Sequence, residues 1–130
     1  RRAKGMKRQT FKPYWVSTSN ELESIVKENI ENKEVSHYLF VNDWDTPCIY
    51  FKNRLKELEK QGGEKNVYVI DNFDVPNGLG VLRSVIKDNK ETISTTAIQN
   101  YTGVPMLVRL HTAFPVTVTY TGSISAELGL

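Results

Sequence analysis

The stretch "SHYLFVN" at residues 36–42 is apolar at both sets of alternating positions, and this limits the fold more than any other feature of the chain. A strand wetted on one face alternates apolar with polar residues, whereas one that is apolar throughout needs a covering layer on each side. The flanking sequence offers those layers. "STSNELESIVKENIEN" carries Leu22, Ile25, Val26 and Ile30 at helical spacing, and Thr18 followed by Glu21 forms a capping-box pattern at its start. Beyond the central strand, Pro47 stands where a helix start tolerates its missing N–H; Phe51, Leu55 and Leu58 make the buried stripe, and "QGG" ends the helix.

The remaining segments alternate in the same way. "TFKPYWV" (10–16) is short and interrupted by Pro13, so it reads as an edge strand. "NVYVID" (66–71) is a third strand, and "GLGVLRSVIKDN" is helical through Leu79, Leu82, Val85 and Ile86. "STTAIQNYTG" predicts a further short helix ending before Gly103. "PMLVRLH" and "PVTVTYTG", joined by "TAF", predict an antiparallel hairpin, and "SISAELGL" has room for about two turns of helix. The expected class is α/β: a central mixed sheet of about five strands flanked by helices, with a C-terminal β-hairpin and a shortened last helix.

Seventeen Lys and Arg stand against fifteen Asp and Glu, for a net charge of +2. Five of the basic residues fall in "RRAKGMKR" at the start, which leaves twelve against fifteen, or −3, for the rest. Affinity for a phosphate backbone requires clustered positive charge on the fold itself, so a nucleic-acid surface is not expected. Residues 1–9 are expected to be a basic, flexible tail, with Met6 as an alternative natural start, and 10–130 a single domain. No apolar run approaches the roughly 18 residues of a membrane span. The single cysteine excludes an internal disulfide and a cysteine-built zinc site, and it suits a reducing, intracellular and cytoplasmic setting. No metal and no cofactor are implied.

Chemistry concentrates in "DWDTPC" at residues 43–48, at a junction between strand and helix. Asp45 is a preferred N-cap residue, whose carboxylate can accept from orphan N–H groups and oppose the positive helix end; the alternative is a functional acid. Cys48, one turn into the helix, is either an inward-facing small apolar residue or a lone reactive thiol. Trp44 either packs inward or offers a recognition surface. A cysteine hydrolase needs a histidine beside its thiol. His37 and His111 each lie six or seven residues along a strand from the motif end, roughly 20 Å away at about 3.3 Å per residue, and neither can serve as that base.

Element order and local motifs resemble the thioredoxin family. There, an apolar strand leads into Trp-Cys-x-Pro-Cys at a helix N-terminus, and Trp44, Thr46, Pro47 and Cys48 match that pattern. Gly103, Val104 and Pro105 match the family's Gly-x-Pro, whose proline is cis and faces the motif; Gly122 fits a glycine late in the last strand. "DWDTPC" also resembles a branch typified by a spliceosomal thioredoxin-like protein with Asp-Trp-Asp-x-x-Cys, although that branch lacks the Gly-Val-Pro. Asp45 takes the place of the attacking cysteine, and Leu39 that of a buried acid that accepts protons in many members. The segment 72–96 is longer than the family requires.

These departures imply a thioredoxin-fold binding or assembly module that has lost dithiol exchange. It would hold a peptide or protein partner in the groove between the 44–48 motif and Val104-Pro105, with Trp44, Thr46 and Pro47 on one side. The alternative is an enzyme, a thiol-disulfide oxidoreductase of thioredoxin type that uses Cys48 alone. Thin cover from the short last helix predicts a contact, with a partner or a second copy, near Val116, Val118 and Tyr120.

Overall fold

The computed structural model describes residues 11–89, 104–111 and 117–130, with the backbone alone over 117–123. The elements are β1 (Phe11–Trp15), α1 (Ser19–Glu31), β2 (Ser36–Val41), α2 (Thr46–Gln61), β3 (Lys65–Asp71), α3 (Gly78–Asp88), β4 (Met106–Leu110), β5 (Thr117–Tyr120) and α4 (Thr121–Leu128). The strands form one mixed sheet in the order β1-β3-β2-β4-β5. β1 and β2 run parallel to β3, β4 runs antiparallel to β2, and β5 antiparallel to β4. The α/β class, the mixed sheet with its terminal hairpin and the short last helix are as the sequence predicts. Pro13 does lie on an edge strand, where an absent N–H leaves no gap between two ladders. The expected tail, the helix expected over 94–103, Gly103 and Val116 lie outside the described residues, as do the side chains of Val118 and Tyr120.

All six residues of β2 are buried, and the strand's alternation divides them between two cores. Tyr38 and Phe40 join Leu22, Val26 and Ile30 of α1 and Leu82, Val85 and Ile86 of α3. Leu39 and Val41 face the opposite layer, with Cys48, Phe51 and Leu55 of α2 and Ile124 and Leu128 of α4. Leu58 packs at the margin of that second cluster. Tyr38 is fully buried; its ring stacks on Tyr68 at 5.4 Å and its hydroxyl accepts from Asn29 Nδ2 at 3.0 Å. Burial pushes the Tyr38 phenol up to about 12.

Local signals hold the helices in place. Thr18 Oγ1 accepts from the Glu21 N–H at 3.1 Å, while Glu21 Oε1 reaches back to the Ser17 N–H at 2.7 Å, one residue before the N-cap. Gly78 starts α3 where the helix meets the sheet most closely: a Cβ there would come 2.5 Å from Ile70 Cγ2 and 3.4 Å from Phe40 Cε1. α4 closes with Gly129 at φ +71 and a Leu130 N–H to Ser125 C=O bond of 2.8 Å, a Schellman arrangement that stops the helix after two turns.

His37 is placed by the same strand. It is buried beneath the edge of Phe11, with ring centroids 4.8 Å apart. Burial lowers its pKa from 6.5 to about 4, and the Arg109 and Lys65 cations push the same way. Glu127 Oε1, 4.0 Å from Nε2, opposes the shift but is partly solvated. Because the folded state resists this proton and the unfolded chain does not, the contribution is intact above pH about 6.5. It falls away as pH drops toward about 4, by about 3 kcal/mol in all. As pH falls from about 7 to about 4 the denaturant midpoint of the protein should drop, and that of His37→Phe, which lacks the titrating imidazole, should drop less. Identical pH profiles would remove His37 as the cause.

Candidate functional site

The parallel strands β2 and β3 end side by side, Val41 opposite Asp71, and both chains turn outward there. At this corner the β2–α2 loop (42–45) faces the β3–α3 loop (72–77). Asn42, 4% exposed, organises the first loop. Its Oδ1 accepts from the N–H groups of Trp44 (3.2 Å) and Asp45 (2.9 Å), and its Nδ2 donates to Asp45 Oδ2 at 2.9 Å. This is the local bonding by which asparagine substitutes for a backbone turn. Asp45 occupies the N-cap position of α2, as expected, but its carboxylate makes no cap hydrogen bond, because Asn42 holds it back toward the strand. Pro47, the second residue of α2, has no N–H to offer.

Lys52 ties the two loops together. From the second turn of α2 its Nζ donates to Asp43 Oδ1 at 2.6 Å and to Asp71 Oδ2 at 2.5 Å. Asp71 Oδ1 in turn accepts from the Phe73 N–H at 2.9 Å, and the Asn72 N–H donates to the Val41 C=O at 2.9 Å. Burial works against the Lys52 charge, but the bonds to Asp43 and Asp71 outweigh it, so its pKa is raised; the bond from Lys52 holds Asp43 below its ordinary value. The Lys52 and Asp71 side chains are 19% and 10% exposed, so this pair is screened much less than a surface ion pair.

The expected site residues separate by depth. Trp44 is 69% exposed, Thr46 and Pro47 are exposed, and Asp45 is half-buried. Cys48 is 0% exposed and packs in the same cluster as Leu39. Burial pushes its thiol pKa up; a backbone hydrogen bond at Asn42 acts in the opposite direction, while the charges of Asp45 and Asp71 add to the rise and Lys52 opposes it. Thiolate chemistry is therefore disfavoured at Cys48 by environment as well as by access. The Val104–Pro105 peptide bond is cis, with Val104 half-buried and Pro105 buried.

A cleft of about 350 Å³ opens beside this corner. It brings Trp44 and Val104 together with Asn42, with the apolar floor of Phe40, Val41, Ile70 and Val75, and with Asn72 and Pro76 through Gly80 of the following loop and helix start. Asp45, Thr46, Pro47, Cys48 and Pro105 are not among its lining residues. Asn42, Lys52 and Asp71 are not singled out by the sequence. Asn42 has a local signal, an asparagine at a strand end before two acids; Lys52 and Asp71 meet only through the fold. Asn77 through Gly80, at the start of α3, also line the cleft.

Among the described residues no group of three or more His, Cys, Asp and Glu is placed to hold a metal, and no helix is long and apolar enough to cross a membrane.

Two outcomes check this geometry. Cys48 should react with a thiol reagent at least about a hundredfold more slowly in the native than in the denatured protein, since access requires local opening; equal rates would mean that the thiol is surface-accessible. Lys52→Met should lower stability by about 1–3 kcal/mol, because Asp71 loses its partner in a shielded position, and should increase amide exchange over 43–45 and 72–74. Lys52→Arg should retain part of both. Unchanged exchange in Lys52→Met would dismiss the tether.

No protein-family profile matches the sequence, and no curated protein does. Solved structures do match in shape. Thioredoxin O1 from Arabidopsis thaliana, in its oxidised state, aligns over 91% of this chain and 92% of its own with a TM-score of 0.57 at 18% identity. The reduced Schistosoma mansoni thioredoxin pre-protein aligns over 91% and 96%, with a TM-score of 0.53 at 13% identity. Plasmodium falciparum thioredoxin aligns over 88% and 95%, with a TM-score of 0.51 at 16% identity. The chain has the thioredoxin fold.

Proposed function

We propose that the chain is a binding or assembly module on the thioredoxin fold, without dithiol exchange, that takes an extended peptide or protein segment at the corner between the 44–48 motif and Val104-Pro105. One observation carries this reading: at the same corner the recognition side chain is out and the thiol is in, with Trp44 69% exposed and Cys48 at 0%. Dithiol exchange needs an accessible thiolate to attack and a second to resolve. Asp45 cannot form a bond to sulfur, and Leu39 provides no proton acceptor beneath the motif. What remains at the surface is recognition: an indole beside an apolar cleft that Val104 also lines. The Asp-Trp-Asp-x-x-Cys pattern supports kinship with the assembly branch that carries it. An extended ligand would bond through its backbone and set one side chain into the cleft.

Two measurements test the reading. Insulin disulfide reduction with dithiothreitol should proceed no faster than with Cys48→Ala; turnover above that control would favour single-thiol exchange instead. Selection from a displayed library of random heptapeptides should yield binders whose affinity falls at least about tenfold in Trp44→Ala, a loss typical of a buried aromatic anchor. Binders indifferent to Trp44, or none, would overturn the cleft as a peptide site.

A further inference from the structure

The loops at the corner beside the cleft carry exposed rings and carboxylates together. Trp44 is 69% and Phe73 79% exposed, and both leave loops held by the one Lys52 ammonium: Asp43 directly precedes Trp44, and Asp71 accepts the Phe73 N–H. Tyr50, on the second turn of α2, is 51% exposed. At this corner Asp43, Asp45, Asp71 and Asp74 stand against Lys52 and Arg83, a surplus of two negative charges. Lys52 is shared by two carboxylates and offsets only one of them. Asp43 is 49% exposed and Asp74 lies at the surface beside Phe73, so the surplus faces solvent. Arg83 sits on the α3 side of the cleft.

Resting on the cleft being a peptide site, we propose that its occupant is a cationic segment: an extended stretch that sets one aliphatic side chain on the floor formed by Phe40, Val41, Ile70 and Val75, and that carries Lys or Arg on its flanks. The flanking cations lie over the Trp44 and Phe73 rings and beside Asp43 and Asp74. A ring face attracts a cation through its quadrupole, by about two- to fivefold in affinity per exposed contact, and a neighbouring carboxylate adds to this. The same surplus repels acidic segments and polyanions, which makes charge a means of selecting among apolar peptides.

Calorimetric titration with three capped heptapeptides tests this: Leu-Val-Leu flanked by Lys-Arg and Arg-Lys, by Ser-Ser on each side, and by Glu-Glu on each side. At about 50 mM salt the basic peptide should bind about tenfold tighter than the neutral one, and the acidic one most weakly. At about 500 mM the gap should close to about twofold as screening shortens the reach of the charges. Phe73→Ala and Asp74→Asn, neither of which removes a Lys52 acceptor, should each weaken the basic peptide about threefold and leave the neutral one unchanged. Equal binding of basic and neutral peptides, both dependent on Trp44, would overturn the charge preference and leave the cleft reading standing. Basic-peptide binding indifferent to Phe73→Ala and Asp74→Asn would be non-specific attraction and would also overturn it. If none of the three binds, both readings fall.

Discussion

Complete burial of β2 is the constraint on which the rest of the structure depends. A strand apolar on both faces cannot be left bare on either, and covering it twice fixes where every helix goes: α1 and α3 over Tyr38 and Phe40, α2 and α4 over Leu39 and Val41. Parallel pairing of β2 with β3 then requires a crossover, which α2 supplies. Both parallel strands consequently release their chains at the same sheet end, and the corner exists before any particular side chain is chosen. This is the position at which open α/β sheets tend to place ligands.

At that corner the side chains settle between chemistry and adhesion. The elements of a thiol site are in place geometrically: a helix N-terminus, a proline in the first turn, and a cysteine three residues after the cap. The net electrostatic balance nevertheless runs against a thiolate, although Lys52 and the backbone hydrogen bond at Asn42 favour it. Asp45 adds negative charge where the attacking sulfur would stand, Leu39 supplies hydrocarbon in place of a proton acceptor, and burial raises the Cys48 thiol. Lys52, the cation that favours the Cys48 thiolate, is itself bonded to Asp43 and Asp71.

The sheet, the helices and the corner were legible in the sequence because they rest on periodicity, which is a local property. The two-sided apolar run of β2, the stripes of α1 and α2, and Pro13 on an edge can each be read without knowing what packs against them. The inward direction of Cys48 was legible too, from its place one turn into α2. The Asp45 carboxylate was not. A cap bond is the usual choice for aspartate at that position, and only the competing amide of Asn42 diverts it. Nor was the Lys52 tether, which joins residues 19 positions apart that become neighbours only through the β2–β3 pairing. The cleft wall at Asn77–Gly80 was hidden for a similar reason: a turn sequence does not reveal what it will face.

Fold and function therefore rest on different residues in this chain. Shape is shared with thioredoxins at 13–18% identity, a level at which packing positions can persist while the residues at the corner are replaced. What the corner does has to be argued from Trp44, Asp43, Lys52, Asp71 and Phe73. There the bonds from Lys52 to Asp43 and Asp71 tie the loop that carries Trp44 to the one that carries Phe73. Rigid presentation of aromatic side chains lowers the ordering cost of association, which is the physical ground of the proposed binding role.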